Sequence, residues 1–237
     1  MTEIATASAP QPGLLARYFG VLVSPRDTFA AVAARPRAFG ALAITVLIVA
    51  GAQGAFLATP VGKEATLKQQ EKVLDAFGVN IPDEAYQRMQ DQMWMAPYTN
   101  AGSQMVVWPL LTTIFAGLFM GVFSMLMGGN ATFKHVFSIV AHSSAVIAAS
   151  QLFSMPLSYA RGEFVGATLG VFVPMFEETS FIARFLGAID LFFIGWMLNV
   201  AIGLAVLYRR RSGGIATTLI GIYVAIALVI AFVRSGS

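Results

Sequence analysis

The sequence predicts an all-α polytopic membrane bundle of five transmembrane helices with short interfacial helices. Three observations predict it. Of the 237 residues, 57% are hydrophobic and only 11% charged, where a soluble domain has roughly a quarter charged, and the mean hydropathy is +0.72. Five apolar runs approach the ~20 residues that a helix needs to cross a bilayer. Basic residues also fall unevenly among the turns between those runs. The 22 glycines, 19 phenylalanines and 11 methionines suit closely packed membrane helices.

Composition removes several function classes. Net charge is only +3, which is no footprint for nucleic acid. Cysteine is absent, so there are no disulfides, thiolate metal sites or cysteine nucleophiles. Two histidines cannot build a histidine-rich metal centre. No metal and no cofactor are expected, and the chain is not read as an enzyme.

Residues 1–13 lack periodicity and are expected to be a flexible tail. The N-terminal 37 residues are too long and too loosely polar for a secretory leader, so the N-terminus is expected to be retained. Residues 14–37 hold two interfacial helices. Leu14, Leu15, Tyr18, Phe19 and Leu22 recur at helical spacing around one charge, Arg17. Ser24 is positioned to cap the second helix, with Pro25 in its first turn and Asp27 facing its positive end. Arg35-Pro36-Arg37 ends it. Both pieces are candidates for lying on the membrane face; a plain juxtamembrane linker is the alternative.

The membrane domain spans residues 38–233 and includes an extracytoplasmic helical cap at 60–100. The first span is expected over Phe39–Thr59. In the cap, a helix around Glu64–Phe77 turns at Asn80 and Pro82 before a second helix. The second span, Met105–Met127, carries Gly117 and Gly121 on one face, candidates for helix packing. Gly128-Gly129-Asn130 then turns tightly into the third span, Phe133–Tyr159. Residues 164–176 are apolar but too few for a comfortable crossing, and read as interfacial or re-entrant. The fourth and fifth spans cover Phe185–Tyr208 and Ile215–Val233, and 234–237 is a short polar end.

Charge sets the orientation. With five spans and a cytoplasmic N-terminus, the inside holds Arg17, Arg26, Arg35, Arg37, Lys134, Arg209, Arg210 and Arg211 against two acids, Glu3 and Asp27. The other side holds seven basic residues against nine acids. The arginines of the first group are candidates for contact with lipid headgroups, and the C-terminus is expected on the extracytoplasmic side. A sixth crossing by 164–176 would put Arg209–Arg211 on the wrong side.

Asp190 is the first polar candidate, about one and a half turns into the expected fourth span, where a carboxylate needs a partner, water or a proton. It reads either as an ion, proton or ligand contact, or as a structural interhelical hydrogen bond. His142, Ser143, Ser144 and Asn199 are further intramembrane polar candidates, expected to line a polar seam with it. Their Ser, His and Asp content matches a hydrolase by residue type alone, with no nucleophile elbow around the serines. Glu177 and Glu178 with Arg184 have neither the arginine spacing nor the downstream histidines of intramembrane glutamate proteases.

Three motifs carry a family resemblance. They are Ser24-Pro25-Arg26-Asp27-Thr28-Phe29 with Arg35-Pro36, then Gly128-Gly129-Asn130-Ala131-Thr132-Phe133-Lys134 with Phe137 and Ala141-His142-Ser143-Ser144, and finally Ile189-Asp190-Leu191-Phe192 with Trp196 and Gly203. On these the chain resembles the bacterial members of the Yip domain family of small polytopic membrane proteins. The resemblance implies a cytoplasmic N-terminus, five spans and no enzymatic chemistry. Its eukaryotic relatives associate with prenylated Rab-type GTPases and with one another. The short tail and Ala/Arg usage read as bacterial, which speaks against a Rab partner and for a multi-pass protein of the inner membrane. The expected role is non-catalytic, through contacts with membrane lipids, further copies of the chain or other membrane proteins. The alternative is a transporter or channel component with a polar route around Asp190.

Overall fold

The computed structural model describes residues 12–127, 131–173, 175–177 and 180–235. The expected N-terminal tail up to residue 11, the Gly128-Gly129-Asn130 turn, Glu178 and the last two residues lie outside them. Among the described residues the fold is all-α, and five helices or consecutive helix pairs are long and apolar enough to cross a membrane.

Helices α1 (Leu14–Val23) and α2 (Pro25–Ala34) form a tight hairpin. Pro25 at the first position and Asp27 in the first turn favour the start of α2. The Ser24 side chain makes no cap bond; instead the Thr28 hydroxyl donates to the Ser24 carbonyl at 2.9 Å. The hairpin is also not confined to a membrane surface. Tyr18, Val21, Phe29 and Val32 are buried in the same core as the spanning helices, because α2 packs on α10 and α7, and α1 on α8, α7 and α3.

The first span is α3 (Phe39–Leu57). Thr59 caps the next helix, α4 (Pro60–Ala76), its hydroxyl accepting from the Gly62 amide at 3.0 Å, with Pro60 at the first position. Ala65 of α4 meets Phe56 and Met155 in a small separate core, which ties the cap to the ends of α3 and α8. Helix α5 (Asp83–Gln92) buries nothing. Its acidic start, Asp83 and Glu84, suits the positive helix end. The exposed Lys68–Glu64 pair at 2.6 Å decorates α4 and contributes little to stability.

Helix α6 (Ala96–Met127) has 32 residues, roughly 48 Å at 1.5 Å per residue. That exceeds the ~30 Å hydrocarbon layer, so α6 extends out of the second span into the cap. The third span is α7 (Phe133–Ser143) followed directly by α8 (Ala145–Arg161). The hydroxyls of Ser143 and Ser144 donate to the carbonyls of Ile139 and Val140, one turn back. Such back-bonding competes with the helix ladder and bends it, and the two helices meet at Ser144. This span is the hub: 67% of its most apolar window is buried inside the protein, against 17% for the last span.

Beyond Gly162, whose φ of 70° ends α8 in the left-handed region, the described residues of 164–176 make no spanning helix. They form an irregular segment with a short 3₁₀ turn, Leu169–Phe172. Helix α9 (Phe181–Gly187) follows, capped by the Ser180 hydroxyl. The last two spans are α10 (Leu191–Tyr208) and α11 (Ser212–Ser235). A Cβ on Gly203 would collide with Ile139 and touch Phe29, and one on Gly195 would press on Val146 at 3.3 Å. Helix α10 is therefore antiparallel to α7–α8. The bundle has a basic end, with Arg209–Arg211 and the α1–α2 hairpin, and a cap end.

Candidate functional site

At the cap end, Asp190 is the N-cap of α10, a correction to its expected place inside the fourth span. The apolar run from Phe185 breaks after Gly187. There Leu169 donates to the Ile189 carbonyl and Leu191 to the Ala167 carbonyl, both at 2.9 Å, in a two-residue antiparallel bridge between Thr168 and Asp190. The Asp190 carboxylate accepts from the Phe193 amide at 2.9 Å. The Tyr223 hydroxyl of α11 accepts from the Asp190 amide and donates to the Ala188 carbonyl, each at 2.9 Å. Every one of these bonds serves the backbone. The carboxylate satisfies one of the orphan amides that any helix start presents.

The other polar candidates are not gathered around it. Gly203 faces Ile139 and Gly195 faces Val146, so His142 is level with Asn199. Asp190 lies nine residues further along α10, roughly 13 Å toward the cap end at 1.5 Å per residue. Ser143 and Ser144 spend their hydroxyls inside their own helix. Asn199 donates to the Gly195 carbonyl at 3.3 Å, and its side-chain oxygen is buried without a partner. Gly117 and Gly121 look outward, and a Cβ on either would meet nothing within 4 Å. Among the described residues nothing packs against either glycine.

The arginines divide sharply. Arg26, Arg35, Arg37, Arg209, Arg210 and Arg211 are exposed around the basic end. Arg209 has a φ of 54°, the left-handed cap of α10. Arg17 is only 8% exposed, and its Nε is buried without a hydrogen-bond partner. Among the described residues no carboxylate pairs with it; the ion pair there is Lys68–Glu64. Its guanidinium lies within electrostatic reach of His142. His142 is fully buried; its Nδ1 bonds the Ser138 carbonyl at 2.8 Å and its Nε2 has no partner. The Ser138 hydroxyl, one turn away on the same face of α7, is buried and unpartnered too.

This cluster sits deep. Next to Arg17, the Tyr18 hydroxyl bonds the Thr45 hydroxyl at 2.8 Å. Thr45 is six residues into α3, roughly 9 Å from its start. A cation at such depth without a counter-charge is costly.

Two polar features were not foreseen from sequence. Ser138 is a lone hydroxyl among apolar neighbours, with no pattern to mark it. The second is an amide clamp across three spans. Gln53 of α3 donates to the Gln151 side-chain oxygen of α8 at 2.9 Å, while its own oxygen accepts from Asn100 at 3.0 Å and Gln104 at 2.7 Å, both on α6. The available signal was an amide in the otherwise apolar α3, matched by amides at i and i+4 on the next helix. Among the described residues no group of three or more His, Asp or Glu is placed to hold a metal ion.

A Yip1 domain model matches residues 19–234, nearly the whole chain. The chain belongs to the Yip1 domain family. No curated protein and no solved structure matches it. Within this Yip1 domain the motifs that are far apart in sequence meet in space: Phe29 of the first and Gly203 of the third close on each other and on Ile139, in the helix of the second. A small residue is needed at Gly203 because α2, α7 and α10 converge there. The protein is thus a polytopic membrane protein of the Yip family, with the basic end built around that junction.

Proposed function

We propose that this Yip1 domain protein acts without catalysis, organising the membrane through contacts of its basic end with lipid headgroups and neighbouring membrane proteins. The observation that carries the reading is the set of exposed arginines around one end of the bundle, Arg26, Arg35, Arg37 and Arg209–Arg211. Beside it, α1 leaves Leu15, Phe19, Leu22 and Val23 exposed. Cations flanking an apolar surface suit an anionic leaflet, each worth about 1 kcal/mol near the surface. The charge asymmetry supports a cytoplasmic position for this end with the C-terminus outside, and a bacterial inner membrane suits that arrangement. The outward Gly117/Gly121 face of α6 offers a close approach for a second copy of the chain.

Crosslinking in native membranes tests this. Neutralising Arg26, Arg35, Arg37, Arg209 and Arg211 to glutamine should lower recovery of crosslinked anionic lipid and of membrane-protein partners severalfold. If insertion orientation changes while the crosslinked lipids and partners stay the same, the arginines serve topology alone and the reading fails.

A further inference from the structure

We propose that an uncharged polar cleft under the cap binds a neutral sugar, either a free mono- or disaccharide or the headgroup of a glycolipid. The cleft lies at the opposite end of the bundle from the exposed arginines, and the proposal stands independently of the lipid-contact reading. Its volume is about 510 Å³, within the roughly 300–1,000 Å³ of small-molecule sites. The polar lining is Thr66, Gln70, Gln92, Thr99, Asn100 and Ser103. Thr66 and Gln70 are four residues apart on α4, as are Thr99 and Ser103 on α6, so each pair shares one helix face. Gln92, the last residue of α5, and the 3₁₀ turn Met93–Met95 close the cleft between them.

Among the described residues no charged side chain lines this cleft, although Glu71 follows Gln70 and Asp91 precedes Gln92 in the chain. An anion would find no cation there, and a cation no carboxylate. The Thr66 hydroxyl donates to the Gly62 carbonyl at 2.8 Å, and the Thr99 hydroxyl to the carbonyls of Met95 and Ala96 at 3.2 Å. Both oxygens remain acceptors. Gln70, Gln92 and Ser103 are exposed, and among the described residues their side chains have no partner, so they offer N–H and O–H donors together with further acceptors. Each sugar hydroxyl both donates and accepts, and this lining supplies both roles. The rest of the wall, Leu57, Met93 and Met95, suits the C–H face of a pyranose ring. Behind it, Asn100 is held by its 3.0 Å bond to Gln53, which is itself tied to Gln104 and Gln151. A back wall fixed in this way lowers the ordering cost of binding.

The test is ligand-observed NMR on the full chain in phosphatidylcholine nanodiscs, with methyl glucoside, methyl galactoside, N-acetylglucosamine and maltose as probes and empty nanodiscs as the blank. In a parallel arm the nanodiscs carry glucosyl diacylglycerol, and its retention is read by native mass spectrometry. At least one of these neutral sugars should bind. The double variant Gln70→Leu with Ser103→Leu should bind it roughly tenfold more weakly or worse, the expected loss for two hydrogen bonds. Gln69→Leu, exposed on α4 outside the cleft, should bind it as the wild type does. Binding of a free sugar identifies a soluble ligand, and retention of the glucosyl lipid alone, lost in the double variant, identifies a glycolipid headgroup. No binding by any probe overturns the site, as does binding that the double variant leaves unchanged. Equal binding of glucuronate, or binding of the neutral peptide N-acetyl-glycylglycine amide in place of the sugars, overturns it too. Should the double variant fail to fold, Gln92→Leu decides: severalfold weaker binding supports the site, and unchanged binding overturns it.

Discussion

Asp190 at the cap end and Arg17 in the N-terminal hairpin are charges that the protein treats in opposite ways. Around Asp190 the bonds serve the backbone: the carboxylate caps α10, and Tyr223 takes the amide and fills the Ala188 carbonyl. Around Arg17, Nε, His142 Nε2 and the Ser138 hydroxyl are all left over. A satisfied charge marks construction. Arg17 is buried whereas Asp190 is half-buried, so leftover polar groups are the more costly around Arg17.

Stability measurements on delipidated protein sharpen the contrast. The largest effect is expected for Arg17→Met, which removes a buried charge without a partner. The unfolding free energy should rise by about 1–4 kcal/mol, the range seen when buried ionic groups give way to apolar ones. A loss instead would mean that Arg17 has a protein partner. Tyr223→Phe at the other end should cost about 1–3 kcal/mol, because it strands the Asp190 amide and the Ala188 carbonyl. No loss would show that water replaces the hydroxyl and that the cap end is looser than described. Asp190→Ala should cost about 1 kcal/mol as a lost cap, and Asp190→Asn only a few tenths, since both residues cap well. Reconstituted vesicles in which Asp190→Asn abolishes a pH-dependent flux would instead restore the transport reading.

A further effect lies in alkali. Burial pushes the Tyr18 hydroxyl up to about 12, against the opposing bond to Thr45, while an unfolded tyrosine ionises near 10. Between these values the folded state holds the proton that the unfolded state has released. Stability should therefore fall as pH rises from about 10 toward about 12, and Tyr18→Phe should lose that part of the slope. Identical slopes in the two proteins would place Tyr18 in contact with water.

Much of the fold was legible because hydropathy reports what lipid requires: the five apolar runs, the Arg35-Pro36 stop after α2 and the absence of a spanning helix in the described part of 164–176 all follow from it. The start of α10 was not, since Phe185 to Tyr208 is apolar apart from Asp190 and Asn199, and the break before Leu191 is made by the bridge to Thr168. That single missing break moved Asp190 from a cap into the membrane. Arg17 was read with the other basic residues because charge alone cannot tell a headgroup contact from a buried cation. Its burial comes from α1 docking on α7 and α8, a tertiary fact with no local pattern.

The account depends on the N-terminal hairpin and Arg209–Arg211 sharing the cytoplasmic side. Because the chain has no cysteine, single substitutions can be read one at a time by membrane-impermeant thiol labelling of intact cells. Arg37→Cys and Ser212→Cys should be labelled only after the membrane is opened, and Asp83→Cys should be labelled from outside. Labelling of Arg37→Cys and Ser212→Cys from opposite sides would contradict the common basic end and the proposed lipid face with it.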